Sequence, residues 1–276
     1  MDDERFSKKL AADVAFHLDE AGVPNLLFGW LALSLVGSRE ILTEIDFVIP
    51  DAQIPTATAT LVALGYPLCA HPRCAELTFD RVGDRCRHMG LITSDNRYHP
   101  VAAAHFHLKS GQYLLSLHAQ SSLLWWLPEL QPGPPAADDP DLTLSNDSKL
   151  PPYAENGGTG PWPGDLHPVK ILNPNSFTEA VIMLYCRDSA RDLRLYSVWI
   201  RIMSSLMDAD GILGQRVEKH LRPKFQLAWD CFNQRIPIAP LESYYKEMKL
   251  LRNRLARAGE LGPLIDANTW QPPAFE

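Results

Sequence analysis

Residues 26–50, LLFGWLALSLVGSREILTEIDFVIP, constrain the folding of this chain more than any other stretch. Three apolar residues lead to Gly29-Trp30. A short helix-like run follows at 31–36, and Gly37-Ser38 turns the chain. Residues 43–49 then alternate, which predicts a strand with Glu44, Asp46 and Val48 on one side and Ile45, Phe47 and Ile49 on the other. A strand, a helix and a second strand in such close succession predict an α/β unit whose second strand carries two carboxylates on one face.

The rest of the chain reads as elements built around that unit. Phe6, Leu10, Val14 and Leu18 recur at i+4 and predict a helix over 4–21, which Gly22 and Pro24 end. A helix fits 54–64, and strands fit 76–82 and 87–92. Residues 101–108 and 113–118 read as a hairpin around the turn Lys109-Ser110-Gly111-Gln112. Centring that hairpin on its turn sets His118 opposite Ala103 and diagonal to His105. Residues 1–130 thus form a first domain.

Residues 131–168 differ in character. From 128 to 168 the chain holds ten of its 23 prolines, and apolar residues are sparse, so this segment is expected to be a mobile Pro/Gly-rich loop or linker. Residues 169–276 read as a helical domain, with helices at 176–186, 189–207, 211–233 and 240–258. Asn175-Ser176 is the expected cap of the first, and Glu179 completes a capping box. The expected class is α+β (α/β), a mixed sheet with flanking helices plus a C-terminal all-helical domain.

Composition excludes several classes. An apolar fraction of 46% over 276 residues supports a globular core. A net charge of −7 gives no general attraction to nucleic acid or anionic membrane. No apolar run approaches the roughly 18 residues of a membrane helix, and the start, MDDERFSKKLAAD, does not read as a secretory signal. The five cysteines lack CxxC spacing and read as reduced thiols of a cytoplasmic protein, with a zinc site or nucleophilic thiol as the alternative.

Two carboxylates side by side repel unless a cation or hydrogen bonds compensate them. Their oxygens suit Mg²⁺ or Mn²⁺, which can clamp the phosphates of a nucleotide. Gly29 stands at the strand-to-helix turn, where a backbone lacking Cβ allows phosphate to approach helix amides. The 13 residues 31–43 allow the chain to fold back and bring the acids beside that turn. An exposed strand with two surface acids is the alternative.

This stretch resembles the nucleotidyltransferase fold superfamily, the polymerase-beta-like group that includes minimal and toxin–antitoxin nucleotidyltransferases. Phe28-Gly29-Trp30 matches the hydrophobic-Gly-Gly/Ser element, and Glu44-Ile45-Asp46-Phe47 the acid–hydrophobic–acid strand. Gly37-Ser38-Arg39 and Thr43 are similar to the Gly-Ser, Arg and Thr of one subset. Trp30 stands where that family has Gly or Ser, and Glu44 replaces an Asp. The resemblance implies a nucleoside triphosphate (NTP) as substrate and nucleotidyl transfer to an acceptor. It also implies a divalent metal on Glu44 and Asp46, and nucleotide contacts from Gly29, Trp30, Ser38 and Arg39. A third family acid is expected on a later strand. Residues 101–108 are the expected place but carry His105 and His107, and Asp80 is the other candidate. A non-catalytic descendant binding a nucleotide, RNA or a protein is one alternative.

His105 and His107 share a strand face. They read either as hydrogen-bonded sheet histidines or as catalytic groups facing Glu44 and Asp46, serving as general base or binding Mn²⁺ or Zn²⁺ in a repurposed transferase or cyclase. Arg187, Arg191, Arg194 and Arg201 form a basic stripe. It reads as a solvated face, or as a phosphate-binding wall in which Arg187 and Arg191 contact the nucleotide. The basic run 249–257 makes tRNA or other RNA an alternative partner to a nucleotide or small molecule. Trp125-Trp126, Tyr196/Trp199 and Phe225/Trp229/Phe232 could stack a base, but the spacings 196/199 and 225/229/232 are those of a buried helix face and favour core packing.

Overall fold

The computed structural model describes residues 2–37, 44–70, 102–108, 113–153, 159–189, 193–206, 221–232 and 241–263. The strands expected at 76–82 and 87–92 lie outside these residues, as do Ser38, Arg39, Asp80 and Arg191.

The fold is mixed α/β. Six strands form one sheet: β1 (Leu26–Phe28), β2 (Glu44–Ile49), β3 (Ala104–Leu108), β4 (Tyr113–Ala119), β5 (Leu142–Leu144) and β6 (Lys170–Leu172). Their order is β3-β4-β2-β1-β6-β5. β2 pairs with β4, and β1 with β6, in parallel, whereas the other neighbours are antiparallel. Eight helices are described: α1 (Asp2–Glu20), α2 (Gly29–Val36), α3 (Ile54–Ala63), α4 (Gln120–Leu123), α5 (Pro174–Asp188), α6 (Leu193–Leu206), α7 (Pro223–Phe232) and α8 (Leu241–Arg257).

The period-2 pattern of β2 serves a sheet buried on both faces, and all six of its residues are buried. On the apolar face, Phe106 meets Tyr66, which follows α3, and Tyr113 meets Phe6 of α1. On the face carrying Glu44 and Asp46, Phe28 packs on Phe177 of α5 with ring centroids 5.3 Å apart. The hairpin register is the one its turn predicts: Ala104 pairs with Leu117, and the Ala103 amide donates to the Leu117 carbonyl, opposite His118.

Residues 131–168 are not a plain linker. They supply β5, the outermost described strand, and Ser145 joins this segment to the sheet: its amide donates to the Val169 carbonyl (2.7 Å) and its hydroxyl oxygen accepts from the Val169 amide (2.9 Å). Leu150 and Trp162 are buried in the same core as the helices and the early strands. That core runs from Ala11 to Leu255, so the boundaries expected at 131 and 169 do not separate independent cores. After β6 the described chain is helical, as expected.

Two helix starts differ from the sequence expectation for the same reason. The α5 cap is Asn173, whose side chain accepts from the amides of Asn175 (3.1 Å) and Ser176 (3.0 Å), with Pro174 in the first turn. Helix α7 begins at Pro223, within the helix expected over 211–233. Proline fits the first helical turn, where its missing N–H is not needed, and disrupts a helix interior.

Candidate functional site

The site grows from the pairing of β1 with β2. Phe28 lies opposite Asp46, so the chain leaves β1 at Gly29 directly beside the Asp46 carboxylate. Gly29 has φ of +67°, and a Cβ added there would stand 2.3 Å from Asp46 Oδ2. Both the left-handed backbone and the close approach therefore require glycine. Glu44 and Asp46 are 4% and 3% exposed. They form a buried pair of acids, which rules out the alternative of an exposed strand with two surface acids.

The strand beside β2 is β4. Asp46 pairs with Ser116 in parallel, and on the other side of β4 Ser116 pairs with His105. A row Phe28–Asp46–Ser116–His105 thus crosses one face of the sheet. β3 is two strand spacings from β2, about 10 Å away. His105 and His107 share the acid face but lie beyond β4. The third-acid position expected on residues 101–108 is corrected accordingly: β4 flanks β2, and its residues on that face are Leu114, Ser116 and His118.

His118 meets the acids. Its Nε2 lies 3.4 Å from Asp46 Oδ1, and both side chains are buried. Its Nδ1 is buried without a hydrogen-bond partner among the described residues. A proton on Nε2 donates to the carboxylate and leaves Nδ1 as the bare acceptor. The opposite tautomer buries an unpaired N–H against two facing acceptors, the costlier arrangement.

At the outer edge, Leu68 bridges to Phe106, and the Cys69 amide donates to the His105 carbonyl (2.9 Å). This places Cys69 opposite His105. The ligand atoms of Cys69, His105 and His107 all lie within 4.8 Å of one another.

The remaining predicted contacts are placed differently. Trp30 is a core residue, 1% exposed, with the Arg201 guanidinium of α6 5.3 Å from its ring. Arg187 is buried in the fold. It forks onto Asp188 through Nε (2.7 Å) and Nη2 (3.1 Å), donates from Nη1 to the Ser122 carbonyl (2.6 Å), and stacks 4.7 Å from the Trp125 ring. These contacts make it a tie between α5 and α4 rather than part of a phosphate wall. Trp125 donates to the Glu260 carbonyl, Trp126 lies beneath Arg222, and Trp199 donates to Asp188. Phe225 and Trp229 are core residues. The basic residues Lys249, Arg254 and Arg257 of α8 are exposed.

A cavity of about 380 Å³ lies at the opposite edge, around β5, and none of the acid-face residues lines it. No described helix is long and apolar enough to cross a membrane. Sequence reasoning missed the direct meeting of His118 with Asp46 and the approach of Cys69 to the histidines. The alternation of β4 puts His118 on the right face, but no local pattern marks Cys69. Comparison with protein-family models, with curated proteins and with solved structures gives no match to this chain.

Proposed function

We propose that the chain is a divergent nucleotidyltransferase-like protein that binds an NTP and a divalent metal, Mg²⁺ or Mn²⁺, on the Glu44/Asp46 face. The observation that carries this reading is the left-handed Gly29 turn set against the Asp46 carboxylate. Two neighbouring carboxylates, one of them seated against a turn without a side chain, fit a hard cation with oxygen ligands. Glu44 and Asp46 would hold the cation. When bound, such a cation neutralises phosphate charge and orients the phosphates for displacement. Gly29, having no side chain, lets the Asp46 carboxylate sit against the turn. His118 holds the Asp46 carboxylate in place through its Nε2–H. Transfer would join an acceptor oxygen or nitrogen to the α-phosphorus, break the bond to the β-phosphate oxygen, and release pyrophosphate.

Isothermal calorimetry with each NTP in the presence of Mg²⁺ or Mn²⁺ tests this. Binding is expected, with loss in Asp46→Asn. If the wild-type protein binds no NTP with either metal, the reading fails. A second reading, a nucleotide-binding descendant without transfer, is favoured by β4, which presents Ser116 and His118 where a further carboxylate would complete the site. NTP binding without pyrophosphate release across a panel of acceptors would select it.

A further inference from the structure

We propose that Cys69, His105 and His107 form a second metal centre, a Zn²⁺ site separate from the carboxylate pair. The local structure brings these three donors together by backbone pairing. The bridge between Leu68 and Phe106 adds residues 68–69 to the side of β3 away from β4 in antiparallel register. The Cys69 amide bonds the His105 carbonyl at 2.9 Å, which fixes that register. Opposite residues in a strand pair project to the same face, and His107 follows His105 two residues along. The two imidazole rings stand nearly perpendicular, 84° apart, with centroids separated by 5.1 Å.

The dimensions suit a small ion. All three ligand atoms fall within 4.8 Å of each other. Tetrahedral zinc with its usual bond lengths needs ligand atoms roughly 3.3–3.6 Å apart.

The chemistry separates this centre from the acids. One thiolate and two imidazoles are borderline-soft donors that select zinc, whereas carboxylate oxygens select magnesium or manganese. The two sets share a sheet face, but β4 runs between β2 and β3. His105 is 1% exposed, while Cys69 and His107 are half-buried, so the centre opens at the sheet edge. The three ligands among the described residues leave a fourth position for water or another donor, as in zinc sites with three protein ligands. Binding requires loss of the Cys69 thiol proton to solvent, and no electron is transferred.

This inference does not depend on nucleotide binding. The test uses the full chain, loaded with Zn²⁺, dialysed, and assayed for metal by mass spectrometry. One Zn²⁺ per chain is expected. Changes to groups that only support metal ligands cost about 10–100-fold in affinity. Cys69→Ser and His107→Gln remove ligands outright, so each is expected to weaken Zn²⁺ in chelator competition by at least about a hundredfold. Both sites are half-buried, and circular dichroism checks that the variants fold. Cobalt substitution of the wild-type protein supplies a readout that needs no variant: a thiolate-to-cobalt charge-transfer band with tetrahedral visible bands. Asp46→Asn should retain Zn²⁺ while losing NTP, which separates failure of this proposal from failure of the nucleotide reading. Zinc retained undiminished in Cys69→Ser, or a cobalt spectrum lacking the thiolate band, overturns it.

Discussion

Gly29 and Asp46 are in contact across β1 and β2, and the space for a side chain at Gly29 is taken by Asp46 Oδ2. A left-handed residue other than glycine costs about 1–2 kcal/mol. Gly29→Ala carries that cost and adds a clash, so its expected destabilisation exceeds about 2 kcal/mol in urea unfolding. Shortening Asp46 to Ala relieves the clash and leaves the backbone cost. The double variant should therefore be less destabilised than the sum of the two single changes, and strict additivity would contradict the contact.

Asp188 holds Arg187 in a buried fork and also accepts from Trp199 Nε1 at 2.8 Å. Removing one partner of a buried ion pair strands the other charge, at about 3–5 kcal/mol. Asp188→Ala is expected to lose that much stability, measured by chemical denaturation. A loss below about 1 kcal/mol, the range of exposed pairs, would show that Arg187 is not held as described.

Glu179 is buried and bonded by the Arg222 amide. Burial raises its pKa above the ordinary value of 4.5, outweighing the opposing effect of Arg222. A carboxyl with a raised folded pKa contributes stability that is present below the unfolded pKa. That contribution is lost as pH rises through the folded pKa. Wild-type stability relative to Glu179→Gln should thus be highest below pH 4.5 and decline above it. Urea midpoints collected across this range check the sign, and parallel profiles for the two proteins would refute it.

Trp162 lies inside the Pro/Gly-rich segment yet is 3% exposed, and its amide donates to the Ser145 carbonyl (2.8 Å). Trp162→Ala is expected to cost about 3–5 kcal/mol, the range for large aromatic truncations in a core. Thermal and denaturant unfolding should show one cooperative shift of the whole protein, because the segment shares its core with the sheet and helices. A change confined to faster proteolysis at 131–168, with unaltered global stability, would instead describe a linker.

Local pattern in the sequence determined a good part of this protein. The alternation of residues 43–49 put both acids on one strand face, because side-chain direction in a strand has a period of two wherever the strand lies. The four residues between the two runs, 109–112, predicted the β3–β4 register, because a short connection leaves few pairings open. Tertiary structure decided the rest. β2 and β4 pair in parallel across some seventy residues of chain, from Asp46 to Ser116, and no local pattern specifies such a partner. That pairing brought His118 to Asp46 and set β4 between the acids and the β3 histidines. The Pro/Gly-rich segment became β5 because a few apolar anchors and sheet-edge hydrogen bonds ordered it, contributions that average composition does not register. Gly29 belongs to both accounts: the sequence placed it at a turn, and the fold put the Asp46 carboxylate in the space its missing side chain leaves open.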